Sequence, residues 1–348
     1  MVDNMFLAIV LFIVGLVMLI KGGDWFVDGA TGIARRFKLP EILIGATVVS
    51  IGTTLPEVMV SAGGAIAGNG SMAYGNAIGS IICNTALIAA LTIAIKPSKV
   101  DRKTLILPVI FFFVAAIFYV TIAYTTHSFD RWVGIVLLVV FVVYMVVNAI
   151  AMLKNKEEGE EETKDETPLE KLPFKKELWA EIKGERTSVI RELLLLVVGA
   201  VVIAFGADFL VDNGTYIANK IGIPQTVIAL TFVALGTSLP ELVTAITALV
   251  KGHSSLSLGN IIGANLFNLV LVSGVSVAIA PFAVPTQAIL FGFDASFIFE
   301  IPVMLGVMLL LTVPALIKNK LSRWQGIVLL TIMVAFYVCQ FVLVQPAI

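Results

Sequence analysis

Residues 15–97 and 199–281 carry one pattern twice, in register at an offset of 184 with no gap. Gly15 falls on Gly199, Asp24 on Asp208, Asp28 on Asp212, Pro56 on Pro240, Glu57 on Glu241, Asn84 on Asn268 and Pro97 on Pro281. Between 45–97 and 229–281, 18 of 53 positions are identical, and they include Gly, Pro and Glu positions that shared apolar composition would not align. A chain duplicated in this way has to fold as two versions of one unit.

The units are predicted to lie in a membrane. Length alone suggests two soluble domains, but hydrophobic residues make up 59% of the chain and charged residues 14%, with a mean hydropathy of +1.01. Apolar segments run over about 5–20 (continuing towards 36), 41–67, 72–95, 104–124 and 131–153, then 190–217, 225–250, 255–279, 298–317 and 324–344. Each is long enough to cross about 30 Å of hydrocarbon at about 1.5 Å per residue. The first lacks the small-residue cleavage site of a signal peptide and has a counterpart in the second half, so it counts as a helix of the mature fold. The expectation is an all-α polytopic membrane protein of ten transmembrane helices. Residues 1–153 form one five-helix repeat and 188–348 the other, joined by an acidic linker at 154–187 that contains Pro168 and Pro173.

Five spans is an odd number, so the second repeat enters the membrane upside down relative to the first. This is the inverted-repeat plan of many secondary transporters. The basic residues agree. Arg35, Arg36, Lys38, Lys96, Lys99, Arg102, Lys103, Lys251, Lys318, Lys320, Arg323 and the 154–187 loop fall on one side, against little more than Arg131 and Lys220 on the other. The positive-inside rule makes that side cytoplasmic and places both termini outside, in a multi-pass protein of the cell (inner) membrane.

A carboxylate inside such a segment is a functional-site hypothesis by default. Glu57 and Glu241 each follow a proline, in T-V-V-S-I-G-T-T-L-P-E (47–57) and T-F-V-A-L-G-T-S-L-P-E (231–241). Counting from the turn near 68–71, Glu57 lies about 20 Å back along one helix and Asn84 about 21 Å forward along the next, so both reach similar depth. Glu241 and Asn268 repeat this arithmetic, and inversion lets all four converge. Pro56 and Pro240 remove a helical N–H donor from the carbonyls of Gly52 and Gly236 and are expected to break the helices there. Freed carbonyls, with Thr53, Thr54, Thr237 and Ser238, offer the oxygen ligands that hard cations need. Two carboxylates balance one Ca²⁺; without a cation one would tend to take up a proton. A plainer reading assigns Gly, Thr and Ser to close packing and buries the glutamates in protonated form. Gly75, Gly79, Gly259 and Gly263, at GxxxG spacing, read as packing residues, whereas a glutamate repeated at equal depth is hard to explain that way.

The paired motifs G-T-T-L-P-E and G-T-S-L-P-E, each followed by G-N-x-I-G-[SA]-x-x-x-N, resemble the two alpha repeats of the cation/calcium exchanger superfamily, in its prokaryotic Na⁺/Ca²⁺ exchanger branch. The resemblance covers essentially all the membrane-spanning chain. It implies ten helices, one Ca²⁺ site and several Na⁺ sites between the two glutamates, and alternating access in which the first and sixth helices slide across the rest. Carried over by motif position, Glu57 and Glu241 would be shared Ca²⁺ and Na⁺ ligands, joined by Thr53 and Thr237. Ser50, Thr54 and Ser80 would line one flanking Na⁺ site, and Ala234 (through its carbonyl) and Ser238 its inverted twin, with Asn84 and Asn268 completing the centre. Two residues depart from the pattern. Ala264 stands where Ser80 and the family usually offer a hydroxyl, which weakens the second flanking site. Asn268 stands where some members carry Asp, which argues against K⁺ dependence.

The implied activity is Na⁺/Ca²⁺ antiport, with Ca²⁺/H⁺ exchange through the same glutamates as the alternative and a channel as a further one. No Ser–His pair, paired aspartates at matching depth or zinc ligand set suggests an enzyme, and no cofactor, nucleic-acid or obligate protein partner is indicated. Cys83 and Cys339 read as small hydrophobes, and His127 and His253 lie too far apart in sequence to suggest a metal site. Asp24, Asp28, Asp208 and Asp212 repeat near helix ends, where solvation or capping explains them more simply than a cation vestibule. Lys21 is placed to pair with Asp24 or to reach the interface. The run Glu157 to Glu162 lacks the spacing of an EF-hand and reads as solvated linker, and Asp294 and Glu300 have no twin.

Overall fold

The computed structural model describes residues 4–37, 39–162, 189–221, 236–286, 288–342 and 345–346. Ten helices follow one another: α1 (Met5–Arg36), α2 (Glu41–Ile66), α3 (Gly70–Ile95), α4 (Arg102–Thr126), α5 (Arg131–Glu162), α6 (Val189–Lys220), α7 (Leu239–Val250), α8 (Ser254–Ile279), α9 (Ser296–Lys318) and α10 (Arg323–Val342). Nine are long and apolar enough to cross a membrane among the described residues; α7 is shorter, and the rest of the segment expected over 225–250 lies outside them. Asn4, Asn69 and Asp101 cap α1, α3 and α4 by accepting the N–H groups of Phe6, Met72 and Lys103. The turns after α2 and α7 each need a left-handed residue, met by Gly68 (φ 75°) and its repeat twin Gly252 (φ 89°). α5 continues to Glu162, so the linker expected from Lys154 begins as an extension of that helix.

The inversion is visible where α1 and α6 lie antiparallel along their lengths. A Cβ on Gly15 would stand 2.8 Å from the Gly206 carbonyl oxygen, and one on Gly199 2.9 Å from the Gly22 carbonyl oxygen. The offset of 184 maps the first of these contacts onto the second, because Gly15 and Gly199 are twins and so are Gly22 and Gly206. Two contacts between the repeats that exchange with one another under the twin relation are what a two-fold axis produces.

Two apolar cores result. The larger draws on α3, α4, α5, α8, α9 and α10, including Phe112, Tyr119, Tyr144 and Phe267. The smaller joins α1 and α6 through Phe26, Val27, Leu196 and Ile203, and meets the remainder at Ile44, Val49, Ala248 and Leu256.

The loops gather at two ends. At one, Val100 N–H donates to the Asn319 carbonyl at 2.9 Å and Leu321 N–H to the Ser98 carbonyl at 2.9 Å, which brings together the two lysine- and arginine-rich loops. The α7–α8 turn belongs to the same end, its His253 lying 2.7 Å from Glu41 at the start of α2. At the other, β1 (Ser128–Phe129) pairs antiparallel with β2 (Phe282–Ala283). Asp24 does not depend on nearby Lys21 for a partner. Lys251, from the α7–α8 turn, lies 3.3 Å from Asp24 Oδ1 and 2.8 Å from Asp28 Oδ1.

The helices are irregular, and only in the second repeat is the irregularity where proline predicts. α2 stays α-helical through Pro56. Its departure from α geometry comes earlier, in a π-helical turn over Gly45–Val49. In the second repeat the backbone turns at 236–238 and α7 starts at Leu239, so Pro240 occupies the first turn of a helix, where a missing N–H costs nothing. Context divides the twins, since a proline can be carried inside one helix and begin another.

Gly199→Val is expected to destabilise the protein by about 1–3 kcal/mol, because the added carbons meet Phe26 and Gly22 backbone that cannot rotate away. Gly63→Ala, with no described atom within 4 Å of its Cβ, should be neutral or stabilising. Thermal melting of both variants in detergent, against the unaltered chain, checks the contrast.

Candidate functional site

Four helices carry the residues singled out by the motifs: α2 (Ser50, Thr53, Thr54, Glu57), α3 (Ser80, Asn84), the start of α7 (Glu241, with Thr237 and Ser238 in the turn before it) and α8 (Ala264, Asn268). Each of the four touches the other three. Ala234 lies outside the described residues, as do 226 and 230, the twins of the residues against which Gly259 and Gly263 pack. Gly259 and Gly263 sit against the backbone of Ile42 and Ala46, as expected of packing glycines. Gly75 and Gly79 meet no described atom within 4 Å and line a cavity instead.

Glu57 and Glu241 are fully buried, and so are Asn84 and Asn268. The two carboxyl groups are near enough to interact, and Glu241 also interacts with Thr53. Among the described residues, none of the four carboxylate oxygens has a hydrogen-bond partner, nor does any side-chain nitrogen or oxygen of Asn84 and Asn268. The twin hydroxyls of Thr54 and Ser238 are buried without partners as well. Each such atom costs about 1–3 kcal/mol if left alone, and more if charged. Packing does not explain why so many should share one place. A hard cation would satisfy the oxygens among them, the ligand type such ions accept.

Two asparagines absent from the motif-derived set hold this cage in shape. Asn260 Nδ2 donates to Thr244 Oγ1 at 2.9 Å, while Asn260 Oδ1 accepts from Thr53 at 3.3 Å and stands 3.3 Å from the Ser50 hydroxyl. That hydroxyl also faces the carbonyls of Asn260 and Gly45, at 2.9 and 2.7 Å. Asn76, the twin of Asn260, donates to the Glu57 carbonyl at 3.2 Å and to Ser61 Oγ at 2.8 Å. The signal was in the sequence, since both asparagines occupy the N of G-N-x-I-G. Harder to foresee are the π-helical turns that begin at Asn84 and again at Asn268. Such turns leave the regular ladder and often mark functional sites.

Two cavities reach the site. One, of about 550 Å³, runs from Asp208 and Asp212 on α6 to Pro56, Gly236, Thr237 and Pro240. The other, of about 400 Å³, includes Asn76, Ser80, Thr237 and Glu300 in its wall.

Such a fold, with two inverted repeats enclosing a buried oxygen cage, defines a membrane transporter rather than an enzyme. The sequence profile of the sodium/calcium exchanger protein family matches residues 7–150 and 191–342, and the chain belongs to that family. It is 30% identical to the sodium/calcium exchanger MaX1 of Methanosarcina acetivorans over 95% of this chain and 97% of the relative. It is 35% identical to the inner membrane protein YrbG of Escherichia coli over 80% of this chain and 81% of the relative. A solved structure of the sodium-calcium exchanger NCX_Mj, soaked with Na⁺ and Sr²⁺, superposes with a TM-score of 0.76 at 29% identity, covering 96% of this chain and 99% of that one.

Asn260→Ala is expected to weaken cation binding about tenfold, or about 1.4 kcal/mol, by releasing Thr53 and Ser50 from their fixed positions. Ca²⁺ titration of the purified variant, beside Asn76→Ala as the twin control, measures it.

Proposed function

We propose that this protein is an antiporter that uses Na⁺ entry to move Ca²⁺ across the membrane by alternating access. The observation that carries the reading is the Glu57–Glu241 pair, fully buried, with oxygens unsatisfied by the described protein. Two carboxylates match the charge of one Ca²⁺ or of two Na⁺, so the ions compete for one place. Thr53, Thr237, Asn84 and Asn268 complete the central coordination. Ser50, Thr54 and Ser80 serve one flanking Na⁺ site, and Ala234 with Ser238 the other. The second is the weaker because Ala264 supplies no hydroxyl. With Asn268 amidic, K⁺ is not needed.

The units of this machine are residues 1–153 and 188–348, with 154–187 as a cytoplasmic linker and both termini outside, in line with the gathering of basic loops at one end. α1 and α6 move together, a motion favoured by their separate core and by backbone-to-backbone glycine contacts that offer few side-chain ridges to lock. At the cytoplasmic end Lys251 ties α1 to the α7–α8 turn through Asp24 and Asp28. The twin of Lys251 is Ala67, and among the described residues no equivalent tie exists at the other end, where the cavity below Asp208 and Asp212 opens towards the site. On the topology proposed above, this arrangement would correspond to a state open to the outside.

In proteoliposomes, an outward-to-inward Na⁺ gradient should drive Ca²⁺ counterflow, and K⁺, Li⁺ or a pH gradient imposed alone should not. Glu57→Gln and Glu241→Gln should each abolish it. Flux that survives both substitutions would overturn the site, and flux driven by a pH gradient without Na⁺ would make the protein a Ca²⁺/H⁺ exchanger.

A further inference from the structure

A further carboxylate lies inside the membrane-spanning bundle, away from the central pair. Glu300 sits one turn into α9, in the π-helical turn Ser296–Glu300. Ser296 Oγ lies 3.2 Å from Glu300 Oε2, and Gln340 Nε2, near the end of α10, lies 3.5 Å from Glu300 Oε1. The Tyr74 hydroxyl, on α3, stands beside Ser296 and Glu300. Tyr74 is only 2% exposed, yet its hydroxyl reaches full hydrogen-bond geometry with no described atom, and the Gln340 Oε1 atom is likewise buried without a partner. Packing of three helices would not be expected to bring three polar side chains around a carboxylate and leave two of their oxygens without a well-formed hydrogen bond.

Glu300 also faces a cavity. The space of about 400 Å³ between α3 and the α9–α10 pair is lined by Glu300, Gln340, Asn76, Ser80 and Thr237, so it extends from this carboxylate to the edge of the central cage. Among the described residues in its wall, Glu300 is the only charged one, and no Lys or Arg is there to pair with it. An ionised carboxylate so placed calls for a cation, and one negative charge is matched by one positive charge. A divalent ion would leave an uncompensated charge in a low-dielectric setting.

We propose that Glu300, Ser296, Gln340 and Tyr74 form a second cation site, separate from the Glu57–Glu241 cage, that takes one Na⁺. The carboxylate supplies the charge, and the Gln340, Ser296 and Tyr74 oxygens supply neutral ligands of the type a hard monovalent ion accepts. Its place at the far end of the cavity from Thr237 makes it a station for Na⁺ outside the exchange site. The assignment rests on the antiport reading only for the identity of the ion.

The test separates the two sites. In the full-length Glu57→Gln/Glu241→Gln double variant the central cage is neutral, so Na⁺ bound at equilibrium, followed with ²²Na⁺ on purified protein, reports the second site. Saturable binding of about one Na⁺ per chain is expected, lost when Glu300→Gln is added and weakened about tenfold when Gln340→Leu is added instead. Both added variants are compared with the double variant by size-exclusion profile and melting temperature, and if Glu300→Gln does not fold, Gln340→Leu decides. No saturable Na⁺ binding in the double variant, binding unchanged by either addition, or Ca²⁺ displacing Na⁺ there at equal concentration would overturn the proposal. Loss of Na⁺-driven Ca²⁺ flux in the unaltered protein would sink the antiport reading and leave this binding result standing.

Discussion

Two carboxylates buried together inside the membrane-spanning bundle set the terms for the rest of the molecule. Moving a carboxylate from water into a low-dielectric interior costs several kcal/mol even after relaxation, and a second one beside it adds repulsion. The fold has to compensate by surrounding them with oxygens and admitting cations, or by letting them bind protons. The local structure of α2, α3, α7 and α8 follows from this need. The asparagines at 76 and 260 fix the cage from outside, hydroxyls crowd its edges, and π-helical turns at Asn84 and Asn268 re-aim side chains where a straight helix would point them elsewhere. Close packing against the cage is what forces glycine at 259 and 263, where backbone of α2 lies too near for a Cβ.

Inversion places those oxygens at one spot without any long-range design of single residues. A motif that puts a glutamate and an asparagine at equal depth in a helical hairpin, used twice in opposite orientation, delivers four polar groups to the two-fold axis. The antiparallel α1–α6 contact lies on the same relation, Gly15 to Gly206 and Gly22 to Gly199. One symmetry therefore organises both the ion cage and the element proposed to move past it.

This is why so much was legible in the sequence. The period of 184, the ten apolar segments and the position of Glu57 against Glu241 are consequences of the duplication, and duplication survives in residue identities. What was not legible depends on contacts between segments remote in the chain. Pro56 and Pro240 look equivalent as letters, yet one rides inside a helix and the other begins one, because neighbours rather than proline decide whether a helix resumes. Asp24 looked ready to meet Lys21, three residues away, and met Lys251 from the opposite repeat. Asn260 was visible as a repeated letter, but its bonds to Ser50, Thr53 and Thr244 require knowing that α2 and α8 touch.

The two halves differ most where a symmetric design would gain nothing from differing. Lys251 is opposed by Ala67, Ser80 by Ala264, and Glu300 has no partner position in the aligned part of the first repeat. A perfectly two-fold transporter would hold its inward-open and outward-open states at equal energy, because one is the other turned over. Each unmatched charge breaks that equality. Among the described residues the Lys251 tie lies on one side only, so in an alternating-access cycle it would add stability to one state alone, and an exposed pair of this kind contributes about 0.2–1 kcal/mol. At about 1.4 kcal/mol per tenfold, that displaces the equilibrium between states by up to about fivefold. A shift of this size would set a resting preference while leaving the choice of state to the ions proposed to bind between Glu57 and Glu241.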